Sequence, residues 1–540
     1  MSTLKEYVVT LRRYEDLEEF YNDMETEGGN LYIPDRVVGL VARRPISRNT
    51  HYMLSNDEAE LLRTDSRVEA VSLTIKELGI EIVPCAIQTS SNWNKSGSLS
   101  NAHRNWGLLR CTEGVNRSGW GSDGTLSQSG TIRLTAKGKN VDVVIVDGHI
   151  GKNHPEFARN ADGTGGSRIV EYNWFQHTSQ VTGGANGVYN YTFDPTGPGA
   201  SDHNHGAHVA GTVAGNTQGW ARDANIYFLN PYGSSPSPIS TEFMFDYIRV
   251  WHNSKPINPA TGYRNPTILN CSFAYVYATL ISEISQLYYR GALVKTNPTG
   301  ADLSSYGIYN DGTQWRTDVR VASVDADCVD AINDGIIIVA AAGNQYGTAD
   351  ISTGPDFNNY FVWTLTGGST PVSIMYGQGS SPAAAPGVIS VGAVDLTTTD
   401  RKVDFSNRGP RIDVFAPGTS IISSVNSGGV ADARVNGLVD KYSGTSMASP
   451  QVTGVLASLL ETYPRWKQAD ARAYIANVCK ASQVTDTGGP MSDWNALRGS
   501  NNRYLFYRQE RPDSGSAWPK VNYNTRPTSG VAYPRFTRKI

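Results

Sequence analysis

Asn140–Asp147 reads NVDVVIVD: a β-branched run broken by one aspartate and closed by another. A run with so little alternation cannot keep one face in water. It is expected as a strand buried on both faces, the mark of a parallel sheet covered by helices. Four further runs of this kind follow: Ala224–Asn230 (ANIYFLN), Thr267–Phe273 (TILNCSF), Gly335–Ala342 (GIIIVAAA) and Gly387–Val394 (GVISVGAV). Helical spacing separates them at Thr241–His252 and Val321–Asn333, so strands and helices alternate in an α/β architecture. In such sheets functional groups collect at the carboxyl ends of the strands, where Asp147 lies.

The chain has 540 residues, more than one core organises, so several units are expected. Residues 1–80 read as a small α/β unit. Its strands are Tyr7–Arg12, Arg36–Ala42 and Val68–Ile75; its helices are Asp16–Glu27 and a short one capped by Ser55 or Asn56. Residues 81–138 form a Ser/Gly/Asn-rich connector interrupted by Asn105–Cys111 (NWGLLRC), and 139–482 hold the main α/β unit. Residues 483–540, rich in Pro, Asn, Arg and Tyr, read as an extended arm and as the stretch open to assembly contacts.

A formal net charge of -3 gives no electrostatic case for nucleic acid or an anionic membrane as partner. The five cysteines are scattered without C-x-x-C spacing, which argues against a disulfide framework or structural zinc. The amino terminus has no apolar core of a signal peptide and no stretch is long enough to span a bilayer. A cytoplasmic or particle-associated protein is expected over one exported by the Sec route.

Three motifs carry chemistry. Asp147 alone would read as a turn-opening aspartate. His205 opens HGAHVAGTVAG (His205–Gly215), whose small residues let a helix approach its neighbours closely. Ser446 lies in GTSMASPQVTGVLASLL (Gly444–Leu460) at a helix start, where N–H groups favour a developing negative charge. Alone it would read as an N-cap. Pro450 lacks the N–H that would bond the carbonyl of Ser446, as suits the first turn.

Together these stretches resemble the subtilisin-like (subtilase) serine proteases. The resemblance runs through HPEF (His154–Phe157), NCSF (Asn270–Phe273), AAAGN (Ala340–Asn344), PGVISVGAV (Pro386–Val394), DFSNRGPRIDVFAPGTSI (Asp404–Ile421) and GTSMASPQVTG, in the family's order. It implies a three-layer α/β fold with a mainly parallel central sheet. It also implies a serine endopeptidase with Ser446 as nucleophile, His205 as general base and acid, Asp147 orienting the imidazole, and Asn344 helping to hold the oxyanion. Ser272, Phe273 and Ala274 would lie on the strand that pairs with the polypeptide substrate.

The residues depart from the family pattern at Gly148 and His149 after the aspartate, at Ala207 between the histidines, and at Ala274–Tyr275 after the substrate strand. The first two changes remove local hydrogen bonds but no catalytic group; the third would narrow the first specificity pocket or reshape its edge. A metal reading from Asp202, His203, His205, His208 and His149 leaves GTSMASP and AAAGN unexplained, so no cofactor is expected. Calcium, common in the family, is not supported: Glu156 replaces the usual Asp and the loop GNTQGWA is short. The first unit resembles the family's ferredoxin-like propeptide, an intramolecular chaperone and inhibitor. Its tail, near Ile80–Ser90, would run through the cleft as a substrate does, with self-cleavage between about Thr74 and Asn105. The alternative expectation is a latent assembly component, such as part of a virus particle, that keeps this unit.

Overall fold

The computed structural model describes residues 4–33, 40–85, 87–88, 103–113, 127–129, 132, 134, 136–192, 203–232, 239–364, 371–396, 399–432 and 437–507.

The strand Asp142–Val146 lies third from one edge of a nine-stranded sheet. From one edge the order is Ile169–Val170, Asn225–Leu229, Asp142–Val146, Thr267–Cys271, Ile337–Ala341, Ile389–Val394, Val414–Pro417, Arg503–Tyr504 and Lys480–Ala481. All neighbours run parallel except the last pair, which is antiparallel. The lack of alternation in NVDVVIVD is explained by two cores. Val143 and Ile145 point into one with Val209, Val213 and Val452; Val144 and Val146 point into the other with Phe245, Ile248 and Val324. Because side chains alternate across a strand, each face needs its own apolar residues. Helices His205–Ala214 and Thr445–Thr462 cover the first face, Met244–Ser254 and Ala322–Asp334 the second.

The amino-terminal unit is a four-stranded antiparallel sheet, ordered Leu40–Arg43, Asn49–Leu54, Lys5–Leu11, Val68–Leu73, with helices Leu17–Glu25 and Asn56–Arg63. Ser55 is the N-cap of the second helix, in a reciprocal capping box with Glu58. The strand Asn49–Leu54 corrects the three-strand expectation. Its sequence, NTHYML, looks too polar for a buried strand, yet both of its faces are covered. Tyr52 and Leu54 pack in the unit's own core, while Asn49 turns to the large body and donates to the Ser323 carbonyl at 3.0 Å.

That seam is charged and buried. Arg44, 1% exposed, pairs with Asp246 at 2.9 Å and Asp327 at 2.7 Å. Ser47 donates to Asp327 at 2.9 Å, Arg48 pairs with Asp330 at 3.2 Å, and Arg249 donates to the Ile46 carbonyl at 2.8 Å. The unit thus sits on the two helices that cover the second face, with each buried charge given an opposite one.

Two further boundaries differ from expectation. Within the connector, Trp106–Glu113 is a helix with Trp106, Leu108 and Leu109 buried in the main core. The segment expected as an arm from residue 483 remains part of the body as far as Tyr507. The strand Arg503–Tyr504 joins the central sheet, and Tyr504, Leu505 and Tyr507 are buried. Residues 508–540 lie outside the described residues. All five cysteines are free, buried thiols, and no helix among the described residues is long and apolar enough to cross a membrane.

Candidate active site

Three elements bring the sequence-predicted residues to one edge of the sheet. Asp147 follows the strand Asp142–Val146, His205 is the first residue of its helix, and Ser446 lies in the first turn of the helix Thr445–Thr462. Asp147 Oδ1 lies 2.7 Å from His205 Nδ1 and also accepts the Gly148 N–H at 2.7 Å. A Cβ on Gly206 would stand 2.4 Å from the Gly148 carbonyl oxygen, so this glycine lets the histidine helix close onto the aspartate loop. Asp147 Oδ2 is buried with no hydrogen-bond partner among the described residues. No hydroxyl at 148 or 207 is present to supply one.

The strand carrying Asn270 and the adjoining Ser272 fix the serine helix. Asn270 donates to Ser272 Oγ at 2.8 Å and accepts from Ser449 at 3.0 Å and Thr453 at 2.8 Å. Ser446 Oγ donates to the Ser272 carbonyl at 2.7 Å. Having one proton, the hydroxyl must leave that carbonyl before it can donate to an imidazole. Asn344 Oδ1 accepts from the Thr445 N–H at 3.0 Å and from Thr445 Oγ1 at 2.8 Å. Those two bonds fix the orientation of the amide and leave Nδ2 as its free donor end.

The cleft contains the chain's own residues. Glu81–Pro84 pairs antiparallel with Phe273–Thr279, with Pro84 opposite Phe273 and Val83 opposite Ala274. The Cys85 N–H donates to the Ser272 carbonyl at 3.1 Å, and the Cys85 carbonyl accepts the Ser446 N–H at 3.0 Å. Ile87–Gln88 then pairs with Ser443–Tyr442 on the far side. Ser272, Phe273 and Ala274 are therefore brought together with an extended antiparallel segment of the chain itself. The Cys85 side chain is fully buried against Ala274, Val276 and Ala341, and that burial pushes its thiol pKa up.

The remaining histidines serve separate local contacts. His208 Nε2 lies 2.9 Å from the Ile421 carbonyl and its ring stacks on Tyr442; burial takes its pKa down to about 3, so it is neutral. His203 lies 2.7 Å from Ser427 Oγ, and His149 packs edge-on against Phe228. Asp202 lies outside the described residues. Glu156 is buried and accepts from the Thr217 N–H and hydroxyl and the Gln218 N–H, which closes the short loop after the histidine helix. Among the described residues, the one group placed to share a metal ion is Glu6, His51 and Glu242, at the seam with the amino-terminal unit.

Sequence reasoning missed the roles of Cys85 and Thr445. Thr445 was visible within GTSMASP, whereas nothing local distinguishes Cys85 from any other buried cysteine.

A family model described as the subtilase family matches residues 138–495, more than half of the chain. The chain belongs to the subtilase family. Its central sheet with helices on both faces is the α/β fold of that family, and the subtilases are serine peptidases. Among curated relatives this subtilase is 27% identical to alkaline serine exoprotease A of Vibrio alginolyticus, over 69% of this chain and 52% of that protein. It is 27% identical to subtilisin E of Bacillus subtilis, over 62% of this chain and 59% of that protein. It thus spans about half the length of the first of these relatives. A crystal structure of fervidolysin from Fervidobacterium pennivorans, a keratinolytic enzyme related to subtilisin, is 17% identical with a TM-score of 0.49, covering 93% of this chain and 60% of that one.

Proposed function

We propose that this subtilase is a serine endopeptidase acting through a Ser446 acyl-enzyme, made as a self-inhibited zymogen whose prosegment ends at Cys85. The observation that carries the reading is the 3.0 Å hydrogen bond from the Ser446 N–H to the Cys85 carbonyl. A backbone carbonyl of the chain itself occupies the position in which an oxyanion would form, and strand pairing holds the residues before it.

In the proposed reaction Ser446 Oγ leaves the Ser272 carbonyl, passes its proton to His205 Nε2 and bonds the Cys85 carbonyl carbon. Asp147, hydrogen-bonded at His205 Nδ1, fixes the tautomer and stabilises the imidazolium. The oxyanion accepts from the Ser446 N–H and from Asn344 Nδ2. Collapse breaks the Cys85–Ala86 bond, and His205 returns the proton to the departing amine of Ala86. Water, giving a proton to His205, then attacks the Ser446 ester; the ester bond breaks, His205 returns that proton to Ser446 Oγ, and the Cys85 acid ionises to a carboxylate. A polypeptide in trans would use the same antiparallel pairing with Phe273–Thr279.

Intact-mass measurement of the purified chain tests this. Fragments 1–85 and 86–540 are expected, a serine-directed phosphonate should label Ser446, and Ser446→Ala should leave a single full-length species. A cut elsewhere in the connector would remove the assignment of Cys85. The second reading, a latent assembly component, has the filled cleft in its favour and is distinguished by an uncut wild-type chain that resists labelling.

A further inference from the structure

The strand Phe273–Thr279 is flanked on both sides, by Glu81–Pro84 and by Trp315–Asp318. In the register Val276 stands opposite Glu81 on one side and Asp318 on the other. Directly opposed residues share a face, and residues two apart on one strand share it too. Ser272, Ala274 and Val276 therefore face the same way as Cys85, Val83 and Asp318. The apolar contacts agree, since Cys85, Ala274, Val276 and Ala341 form one buried cluster with Val83 packed against it.

Asp318 is 4% exposed. Its Oδ2 accepts from Asn407 Nδ2 at 2.9 Å, while its Oδ1 has no hydrogen-bond partner among the described residues. Asn407 is itself held, donating to the Ala342 carbonyl and accepting from the Gly347 N–H. Two glycines make room for the carboxyl: a Cβ on Gly343 would lie 3.0 Å from Oδ1, and one on Gly347 would lie 2.4 Å from Oδ2. Gly343 precedes Asn344, so the open oxygen lies beside the segment proposed to hold the oxyanion.

A buried carboxyl oxygen without a donor is costly, and such a group persists where a ligand completes it. The Cys85 side chain is short and its thiol is a weak donor, so it lies on the same face without completing the Asp318 carboxyl. We infer that Asp318 is the specificity-determining floor of the subsite for the residue before the scissile bond, and that in substrates it selects a cationic side chain, lysine or arginine. Such a side chain reaches several bonds beyond a cysteine sulfur and ends in N–H donors matched to the carboxylate. Burial in the self-bound form pushes the Asp318 pKa up to about 7, as befits a carboxyl with no cation beside it, and a substrate cation there would bring it back down. Cys85 is then a self-substrate held in place but poorly matched, which suits a prosegment that must first inhibit.

The inference rests on Ser446 being the nucleophile, and one experiment separates the two. Full-length chains carrying Cys85→Arg, Cys85→Lys or Cys85→Leu are followed for release of the 86–540 fragment, each with phosphonate labelling of Ser446. The Arg and Lys chains should process at least about tenfold faster than the Leu chain, and Asp318→Asn should erase that advantage, bringing the three chains to one rate. Should a Cys85 variant not fold, the octapeptide EIVPCAIQ with its cysteine replaced by Arg, Lys or Leu supplies the same ranking in trans. A Leu chain or peptide cut as fast as the Arg one, in protein that labels, overturns the assignment of Asp318 alone. Absence of labelling throughout overturns the nucleophile and this inference with it.

Discussion

Asn344 and Thr445 act as a pair at the residue scale. Thr445 donates twice to Asn344 Oδ1, so the amide can offer only its nitrogen to the cleft. In a subtilisin, loss of the corresponding side-chain donor lowers turnover by roughly 10²–10³, a magnitude taken from that relative. Asn344→Ala is therefore expected to lower kcat by about that factor with little change in KM, because the bond strengthens as the oxyanion forms. Thr445→Val keeps the amide and removes one of its two tethers; a fall in kcat of about tenfold is expected. Steady-state kinetics on one peptide substrate check both, and equal losses from the two variants would mean that Thr445 does more than orient. Asn344 was legible in sequence because AAAGN ends a buried run, where a polar side chain needs a purpose. Asp318 was not, since a Thr-Asp pair at the end of a short strand reads like any turn. Only the three-strand register places it on the same face as Cys85.

At the scale of elements, the amino-terminal unit meets the body through polar atoms that a sequence reading assigns to solvent. Arg44, Ser47 and Asn49 all reach Asp327, which lies within a helix whose acidic residues look like an exposed face. Burial pushes the Asp327 pKa up and Arg44 opposes it, so removing the guanidinium leaves Asp327 without its cation and Asp246 with only Arg249, 3.6 Å away. Breaking a buried pair from one side costs about 3–5 kcal/mol, far more than a surface ion pair contributes. Arg44→Ala should therefore loosen the cleaved unit from the body by a factor on the order of 10²–10⁴. Gel filtration after processing gives the readout: the 1–85 fragment should co-elute with wild-type body and separate from it in the variant. Continued co-elution at nanomolar concentration would leave the strand Glu81–Pro84 as the main anchor instead. The same burial explains why Asn49–Leu54 escaped the periodicity: a strand covered on one face by its own helices and on the other by a charged seam has no polar-out pattern to read.

For the whole molecule, the segment beyond residue 482 was expected to be separable and is partly structural. Its composition, poor in periodic apolar residues, hides well-buried side chains, among them Val484, Leu497, Tyr504, Leu505 and Tyr507. The Tyr504 ring lies 4.1 Å from the guanidinium carbon of Arg110, a fully buried arginine that pairs with Asp400. The Tyr507 N–H donates to the Cys111 carbonyl. The carboxyl-terminal segment thus closes over the helix Trp106–Glu113, and that helix lies between the self-bound segment and the first strand of the main sheet in sequence. Burial of each such side chain contributes roughly 1.5–3 kcal/mol. Ending the chain at residue 482 should therefore destabilise the body by roughly 5 kcal/mol or more, a large share of an ordinary domain's stability. In a Ser446→Ala background, which prevents self-digestion, Tyr504→Ala should give a smaller loss of the same sign, because it removes the ring over Arg110 but keeps the strand. Thermal unfolding of the three proteins orders them. A truncated chain melting with the full-length one would mean that the strand Arg503–Tyr504 carries no weight, and the body would then end at residue 482, as its composition suggested.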